Sequence, residues 1–266
     1  MCRHVIRVRA HVASEQRREP RAFTLVELFI VIGVIALLIA LLFPAFNAAR
    51  RAAMRTACQS NMRQVVNAFI MYANDNSGCF PRPAQEMYPR AEDWIYFQAN
   101  RRFADGRVTR YLGNGELTRQ VLICPGDEVD SHSFFFWGRP VPEPGADWPP
   151  NQPRPQKYRF SYTVSEFICR IPPQRTLKIN QIRRPSDKIF LVDESSETID
   201  DGCWAWANDQ GAGGNVMSAR HNRVNEMSRN TTGYGAGKGN VAYCDGHVAY
   251  VDRKDTFDIR YFDPRR

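Results

Sequence analysis

The strongest constraint on the fold is an uncharged segment near the N-terminus. From Leu28 to Ala49 no residue is charged, a span of 22 residues. At about 1.5 Å of rise per residue, this segment forms a helix of about 33 Å, enough to cross the roughly 30 Å hydrocarbon core of a bilayer. No other segment of the 266-residue chain is comparably apolar. The sequence therefore predicts a single membrane span.

The charge of the chain is concentrated before this segment. The chain has 36 Lys and Arg against 28 Asp and Glu, a formal net charge of +8, which taken whole favours a nucleic-acid partner. Residues 1–22, however, contain six arginines and two acids, which is half of the excess. Half of the charge therefore belongs to a basic segment that flanks the predicted span, and we expect no nucleic-acid partner. The basic excess places the N-terminus in the cytoplasm and the rest of the chain outside it.

A secretory signal peptide and a plain signal anchor are the simpler interpretations. The apolar run is long for a signal peptide, and no small-residue cleavage motif follows it. Glu27 argues against a plain anchor, because an intramembrane carboxylate costs about 2.5–3.5 kcal/mol. A cut before Phe23 would create an ammonium that Glu27, of the same or a neighbouring subunit, could neutralise.

These residues form a recognisable pattern. The order Ala22, Phe23, Glu27, an apolar run and Pro44 resembles the N-terminal signal of type IV pilins and type II secretion pseudopilins. The resemblance implies that residues 1–22 are a basic leader peptide that a prepilin peptidase removes by a cut between Ala22 and Phe23, and that the new amine is methylated. It also implies that Glu27 and Pro44 serve assembly. In that family the residue before the cut is usually Gly, and Ala22 departs from this pattern.

Helical periodicity continues beyond the apolar run. Apolar residues recur every three or four positions from Met54 to Tyr72, which indicates one amphipathic stripe. We predict one helix from about Phe23 to Ala73, and an α+β, pilin-like fold in which it packs on a C-terminal antiparallel β-sheet head. The predicted regions are a transmembrane and assembly helix (23–46), an amphipathic continuation (47–78), and an exported β-rich head (79–266) with a Pro-rich loop (137–156) and a Gly/Asn-rich insertion (222–239).

Downstream, strand-like patterns replace helical ones. Asp245-Gly246 between alternating segments is typical of a hairpin with a two-residue turn. This turn pairs Tyr243 with Val248 and directs both toward the core. The six predicted strands are Val121–Cys124, Lys157–Val164, Lys188–Val192, Gly202–Ala207, Gly239–Cys244 and His247–Asp252.

The C-terminal region carries a second resemblance. His221, Asp245, Gly246 and His247 are similar to the signature of the H-X9-DG-type domain that often follows a pilin-like N-terminus, with a longer spacing here. A hydrolytic or metal site formed by His221, Asp245 and His247 is one interpretation. The favoured interpretation is a tight turn and a structural histidine.

Other candidate sites are an acidic segment and the cysteines. Oxygen-rich acidic loops can bind Ca²⁺, but a solvated turn without a metal or other cofactor is the favoured interpretation of Asp193, Glu194, Glu197, Asp200 and Asp201. Because the head is predicted to lie outside the cytoplasm, we expect one to three disulfides among six cysteines, without a zinc-ribbon or thioredoxin motif. The six are Cys58, Cys79, Cys124, Cys169, Cys203 and Cys244.

The sequence thus favours a structural subunit over an enzyme. The resemblance implies a single-pass, pseudopilin-like or pilin-like subunit of a bacterial inner membrane with a periplasmic or other extracytoplasmic head. Such a subunit would assemble into a type II secretion-type pseudopilus or a type IV pilus-like filament. Its expected partners are the prepilin peptidase, other pilin or pseudopilin subunits and the inner-membrane assembly platform. The alternative is an inner-membrane-anchored exported binding module or enzyme that uses the pilin-like segment only for sorting.

Overall fold

A computed structural model describes residues 24–85, 89–98, 101–113, 116–132, 134–136, 139–141, 157–169, 177–204, 215–222 and 237–266. The predicted leader, the predicted cleavage position at Ala22 and Phe23, and most of the loop and insertion lie outside these residues. The chain divides into two compact units, Met1–Asn47 and Ala48–Arg266. The division falls within the first helix.

Helix α1 spans Leu25–Asp75, 51 residues, with Pro44 inside it. This confirms the predicted long N-terminal helix to within two residues at each end. In the first unit, its large apolar side chains are 45–68% exposed. By length and composition, α1 is the one helix among the described residues that could cross a membrane.

The part of α1 in the second unit has a different environment. Its apolar stripe is buried, as the three- and four-residue spacing predicts. The ring of Phe69, for example, lies 4.9 Å from that of Phe190 in the sheet. The buried members are Cys58, Met62, Val65, Val66, Ala68, Phe69, Tyr72 and Ala73.

The second unit contains a five-stranded sheet and a short hairpin. The sheet order is β5-β3-β4-β6-β7, and the hairpin consists of β1 and β2. The strands are β1 (Phe134–Phe136), β2 (Arg139–Val141), β3 (Tyr162–Ser165), β4 (Ile189–Asp193), β5 (Cys203–Trp204), β6 (Lys238–Tyr243) and β7 (Val248–Asp252). The short helices are α2 (Glu116–Val121) and α3 (Ile259–Phe262), with 3₁₀ turns at Phe103–Asp105, Thr109–Tyr111, Val129–Ser131, Ile179–Gln181, Pro185–Asp187 and Arg253–Phe257.

The central strands β4 and β6 are buried on both faces. On one face, Phe190 and Ala242 join the core that contains the α1 stripe. On the other, Val192 and Val241 pack with Phe262 of α3. Burial on both faces explains why β4 is a nearly continuous apolar run, Ile-Phe-Leu-Val-Asp.

The α+β class with a long apolar N-terminal helix is confirmed, but the sheet differs from the prediction. It is mixed rather than antiparallel, because β5 pairs in parallel with β3. Three of the six predicted strands coincide largely with β4, β6 and β7. The predicted strand Lys157–Val164 shares only its last three residues with β3, and β5 covers only two residues of its predicted segment. The predicted strand Val121–Cys124 is wrong, since the amides of Leu122 and Ile123 donate to carbonyls in α2 and continue its turn.

The predicted register of the last hairpin is also wrong. Val248 pairs with Ala242 rather than with Tyr243, and the Tyr243 amide donates to the His247 carbonyl at 2.9 Å. Three residues form the turn, and the last of them, Gly246, has φ +94°. A left-handed glycine is what a three-residue hairpin loop requires. The extra residue shifts the pairing by one position. Tyr243 and Val248, predicted to share one face of the sheet, therefore lie on opposite faces.

Within the predicted Pro-rich loop 137–156, the structure describes residues 139–141, which form a strand rather than a loop. Phe134–Phe136 pairs antiparallel with Arg139–Val141, and Pro140 lies in the second strand. A proline is compatible with this position because β2 has only one partner strand, so no second strand needs its missing amide donor.

Candidate functional site

Four chemically active side chains converge inside the second unit. Cys58 lies on α1, Cys124 in the turn after α2, Asp193 at the end of β4, and His221 in the turn 219–222. One potential metal-ligand atom from each residue lies within 4.8 Å of those of the other three. Three of the residues are completely buried and His221 is 8% exposed. We refer to these four residues as the CCDH cluster.

The contacts within the CCDH cluster are short. The Cys124 Sγ lies 3.1 Å from the His221 Nε2. The Cys58 thiol donates to the Asp193 Oδ2 at 3.6 Å, and the same carboxylate oxygen lies 3.6 Å from the His221 Nε2. Two sulfurs, one imidazole nitrogen and one carboxylate oxygen therefore face a common centre.

Local backbone structure positions Cys124 and His221. The Cys124 amide donates to the Ser161 Oγ at 2.8 Å, and the Asp127 amide donates to the Cys124 carbonyl at 2.9 Å, which closes the Cys-Pro-Gly-Asp turn. A Cβ on Gly126 would lie 3.2 Å from the His221 Cε1. Glycine at this position thus allows the turn to pass close to the imidazole.

A buried ion-pair network supports the carboxylate of the CCDH cluster. The Arg220 Nη1 lies 3.0 Å from the Asp193 Oδ1 and 2.7 Å from the Asp127 Oδ2. The Arg220 Nη2 also donates to the Glu194 carbonyl at 2.6 Å. Because Arg220 holds one Asp193 oxygen, the other oxygen is directed toward the sulfurs and the imidazole.

Tyr162 is a further neighbour, since its hydroxyl donates to the Cys58 Sγ at 3.4 Å. Burial is the main reason that the pKa of the Cys124 thiol is strongly raised, so on its own this thiol stays protonated at neutral pH. A cation among the four donors would favour the thiolate instead.

Asp127 collects several donors behind the CCDH cluster. It accepts from the Ser161 hydroxyl at 2.5 Å and lies 3.1 Å from the His132 Nε2. Burial raises the pKa of Asp127, but the His132 hydrogen bond and the Arg220 charge outweigh it, and the pKa is lowered overall. Ser161 contacts the carboxylate rather than the imidazole and is completely buried. Nucleophilic catalysis needs an accessible hydroxyl beside a base, and the buried Ser161 hydroxyl does not have this arrangement.

The structure separates the predicted signature residues. Asp245 and His247 lie in the exposed hairpin turn, where the Asp245 Oδ1 accepts from the His247 amide at 3.1 Å and lies 2.6 Å from the His247 Nδ1. His221 is buried and faces Cys124 and Asp193 instead. Asp245 and Gly246 thus serve the turn, and His221 belongs to the CCDH cluster.

The carboxylates of the acidic segment point to different partners. Asp193 faces the CCDH cluster, whereas the buried Glu194 accepts from Thr163, Thr198 and Asn215 at 2.6–2.9 Å. Burial, and then the charge of Asp200, raise the pKa of Glu194 well above its usual value. Asp201 accepts from the Cys203 amide. The four predicted calcium ligands Asp193, Glu194, Asp200 and Asp201 therefore do not share one centre among the described contacts.

The cysteines depart from the disulfide prediction. All six cysteines that the structure describes are free thiols, and five of them are buried. Cys169 and Cys244 lie in the core that contains the α1 stripe, where both behave as small apolar side chains. Cys58 and Cys124 lie close together, and both also contact polar partners of the CCDH cluster.

The positions implied for assembly lie on α1. Thr24 and Glu27 form a reciprocal capping box: the Thr24 amide donates to the Glu27 Oε2 at 2.9 Å, and the Glu27 amide donates to the Thr24 Oγ1 at 3.2 Å. The Thr24 hydroxyl donates to the same carboxylate at 2.8 Å. Glu27 therefore takes part in capping the N-terminus of α1, a role that the Thr-x-x-Glu spacing could have indicated.

Sequence analysis missed the CCDH cluster because its members are distant in sequence. Cys58 and Asp193 are 135 residues apart, and Cys124 and His221 are 97 apart. Metal-site patterns are recognised by short spacings such as Cys-x-x-Cys. One indirect signal existed, since each member belongs to a short Cys-Gln-Ser-Asn, Cys-Pro-Gly-Asp, Asp-Glu or Arg-His motif.

A separate cleft of about 380 Å³ lies on the second unit. Its lining combines cationic and aromatic side chains with one acid, Asp130, which lies 3.3 Å from the Arg159 Nη1. Arg119 lies over the ring of Phe103 at 5.3 Å. Cations beside aromatic rings suit an anionic ligand with an apolar part. The cationic and aromatic lining residues are Tyr96, Phe97, Arg101, Phe103, Arg119, Lys157, Arg159 and Phe160.

Comparison of the chain with protein-family models, curated proteins and solved structures found no match. The structure itself defines an α+β protein with one long apolar N-terminal helix, a five-stranded mixed sheet and a buried CCDH cluster.

Proposed function

We propose that this protein is a pilin-like or pseudopilin-like structural subunit of a bacterial inner membrane, cut before Phe23 by a prepilin peptidase. One observation carries the proposal: the large apolar side chains of α1 from Leu25 to Phe46 are at least 45% exposed. Such a surface needs lipid or other apolar helices around it. A helix of this kind can be held in the membrane and then pack laterally against copies of itself in a filament.

The second half of α1 supports a subunit rather than a simple tether. Its stripe from Cys58 to Ala73 is part of the main core of the second unit, together with residues of the sheet. One continuous helix therefore serves as the apolar segment and as a core element. In the assembled state that we propose, contacts between apolar helices place the heads at regular intervals, with an assembly platform and further subunits as partners.

Glu27 has two separable roles in this proposal. Its hydrogen bonds with Thr24 cap the helix, and its negative charge would neutralise the new ammonium of Phe23 in a neighbouring subunit. Glu27→Gln keeps the capping geometry and removes the charge, because glutamine also forms a capping box. Thr24→Ala removes the two hydrogen bonds of the Thr24 hydroxyl in the capping box and keeps the charge.

This pair of variants tests assembly. The full chain would be expressed with its assembly machinery, and sheared or pelleted filaments would be quantified. We expect Glu27→Gln to abolish pelleted assemblies and Thr24→Ala to retain most of them. Loss with Thr24→Ala alone would show that Glu27 acts only through the cap. Normal assembly of Glu27→Gln would overturn the charge role, and equal losses would show that the cap matters as much as the charge.

Processing is tested separately by N-terminal mass spectrometry of the membrane-extracted protein. The expected mature chain begins at Phe23, with an additional methyl group on its amine. A chain that retains residues 1–22 would contradict the pilin-like proposal, whatever the filament assay shows. A processed chain that never pellets would instead favour the second candidate.

The second candidate is an inner-membrane-anchored exported binding module, and the cleft favours it. Its cationic and aromatic lining predicts an anionic ligand with an apolar or aromatic part. Retention of the full chain on an immobilised sulfated polysaccharide would be compared for Arg119→Ala, which faces the cleft, and Arg63→Ala on α1. Selective loss with Arg119→Ala supports this function, and equal retention opposes it.

A further inference from the structure

The CCDH cluster has the donor set and the enclosure of a structural metal centre. Tetrahedral Zn²⁺ binds sulfur at about 2.3 Å and nitrogen or oxygen at about 2.0–2.2 Å, so its ligand atoms lie about 3.3–3.8 Å from one another. The three separations given above for the cluster are 3.1, 3.6 and 3.6 Å. The remaining separations are within 4.8 Å. Small side-chain movements would bring all four donors to bonding distance of one ion.

We propose that Cys58, Cys124, Asp193 and His221 bind one Zn²⁺ ion. This ion would connect the part of α1 in the second unit to the sheet and its loops. Two thiolates and an imidazole select a thiophilic metal over Ca²⁺ or Mg²⁺, which prefer oxygen ligands. Four protein ligands with almost complete burial leave no open position for a substrate. The site is therefore structural rather than catalytic.

The surroundings of the cluster match what a metal centre needs. The Arg220 guanidinium contacts the Asp193 Oδ1, which fixes the carboxylate and offsets part of the negative charge of two thiolates and a carboxylate around one divalent ion. The Tyr162 hydroxyl donates to the Cys58 sulfur. Hydrogen bonds of this kind from a second layer of residues orient ligands and tune metal affinity.

Because the ligands come from four distant segments, the ion would act as a cross-link. It would join α1, the turn after α2, the end of β4 and the turn at His221. None of these connections depends on the apolar part of α1, so the proposal is independent of the pilin-like function. A filament subunit and a binding module could both contain this centre.

The competing outcome is a disulfide between Cys58 and Cys124. Both sulfurs are cluster ligands within 4.8 Å of each other, and the predicted compartment is oxidising. A disulfide would remove both thiolates and abolish metal binding. The two states differ in mass, in thiol content and in metal content.

The test uses the full chain purified in detergent without chelators. Zinc per chain would be measured by inductively coupled plasma mass spectrometry for the wild type, Cys58→Ser, Cys124→Ser and His221→Gln. Cys244→Ser is the matched control, because Cys244 is also buried, at 1% exposure, but lies outside the cluster. We expect about one zinc in the wild type and the control, and at least a fivefold loss in the three ligand variants.

A second measurement, on the wild type alone, tests the site even if the ligand variants fail to fold. Replacement of the metal by Co²⁺ in the wild type should give the intense visible bands of a tetrahedral site and a sulfur-to-cobalt charge-transfer band. Zinc content well below one per chain, octahedral cobalt bands, or a Cys58–Cys124 disulfide in non-reducing peptide mapping would each overturn the proposal. Equal zinc content in Cys58→Ser and Cys244→Ser would overturn it as well.

Discussion

The two parts of helix α1 show how the same secondary structure depends on different interactions. Between Leu25 and Phe46 the large apolar side chains are exposed, whereas eight residues between Cys58 and Ala73 are buried. The first part is specified by neighbours within one or two turns: apolar composition and a Thr24–Glu27 cap. The second part depends on partners that are distant in sequence, such as Phe190 and Asp193.

The largest expected effect compares one substitution in both parts. Phe69→Ala should destabilise the head by about 3–5 kcal/mol, because it removes a completely buried ring and leaves a cavity. Phe29→Ala, at a position 61% exposed within the first unit, should leave the head's stability within about 0.5 kcal/mol of the wild type. Denaturant unfolding of the full chain in detergent, followed by tryptophan fluorescence, measures both.

The contrast between the two parts would fail if Phe29→Ala and Phe69→Ala destabilised the head equally. That result would mean that the apolar segment also contributes to the folding of the head. Comparable stability of both variants and the wild type would mean that the buried stripe is much less important than its burial implies.

The same contrast explains which features could be predicted from sequence. The long helix follows from an uncharged run and a periodic stripe, β4 from a short apolar run with β-branched residues, and β6 and β7 from alternating segments around Asp-Gly. The register of the last hairpin depended on whether Gly246 ends a two- or three-residue loop, and the sequence Asp-Gly fits both. The parallel β5 pairs with β3 across 39 residues (Val164 to Cys203), for which no local pattern exists.

The CCDH cluster was beyond local patterns for the same reason. From the sequence, Cys58 and Cys124 are possible disulfide partners, Asp193 is a possible calcium ligand and His221 is a signature residue, and only the fold brings the four together. The individual interpretations of Asp193 as part of a calcium loop and of His221 beside Asp245 both assumed that sequence neighbours would be spatial neighbours. In the folded head, the partners of Asp193 and His221 are cysteines and Arg220.

A second prediction concerns two carboxylates, Glu194 in the head and Glu197 nearby on the surface. The pKa of Glu194 is raised by burial above the unfolded value of about 4.3. Its contribution to stability is therefore complete below about pH 4.3 and is lost as the pH rises through the folded-state pKa. Where only the unfolded state is ionised, this loss approaches about 1.4 kcal/mol per pH unit.

Glu194→Gln should remove this loss, because glutamine reproduces the hydrogen bonds of a neutral carboxyl with Thr163, Thr198 and Asn215. We expect the variant to become more stable relative to the wild type as the pH rises from 5 toward the folded-state pKa, with unfolding measured at half-unit intervals. Glu197→Gln, at an exposed position, is the control and should follow the wild-type curve. A difference between Glu194→Gln and the wild type that does not change with pH would contradict the assigned protonation state.

The smallest expected effect compares two glycines, one in each part of the molecule. Gly246 has φ +94°, and a Cβ there would lie 3.2 Å from the Ile70 Cδ1, so Gly246→Ala should cost about 1–2 kcal/mol of head stability from left-handed strain and crowding. Gly33 lies inside α1, and a Cβ there would meet nothing within 4 Å. Gly33→Ala should therefore favour the helix by about 0.5–1 kcal/mol and leave the unfolding of the head unchanged. Hydrogen exchange at the Gly246 turn measures this left-handed strain. If alanine left the exchange unaffected, a left-handed residue at position 246 would be the wrong description of the turn.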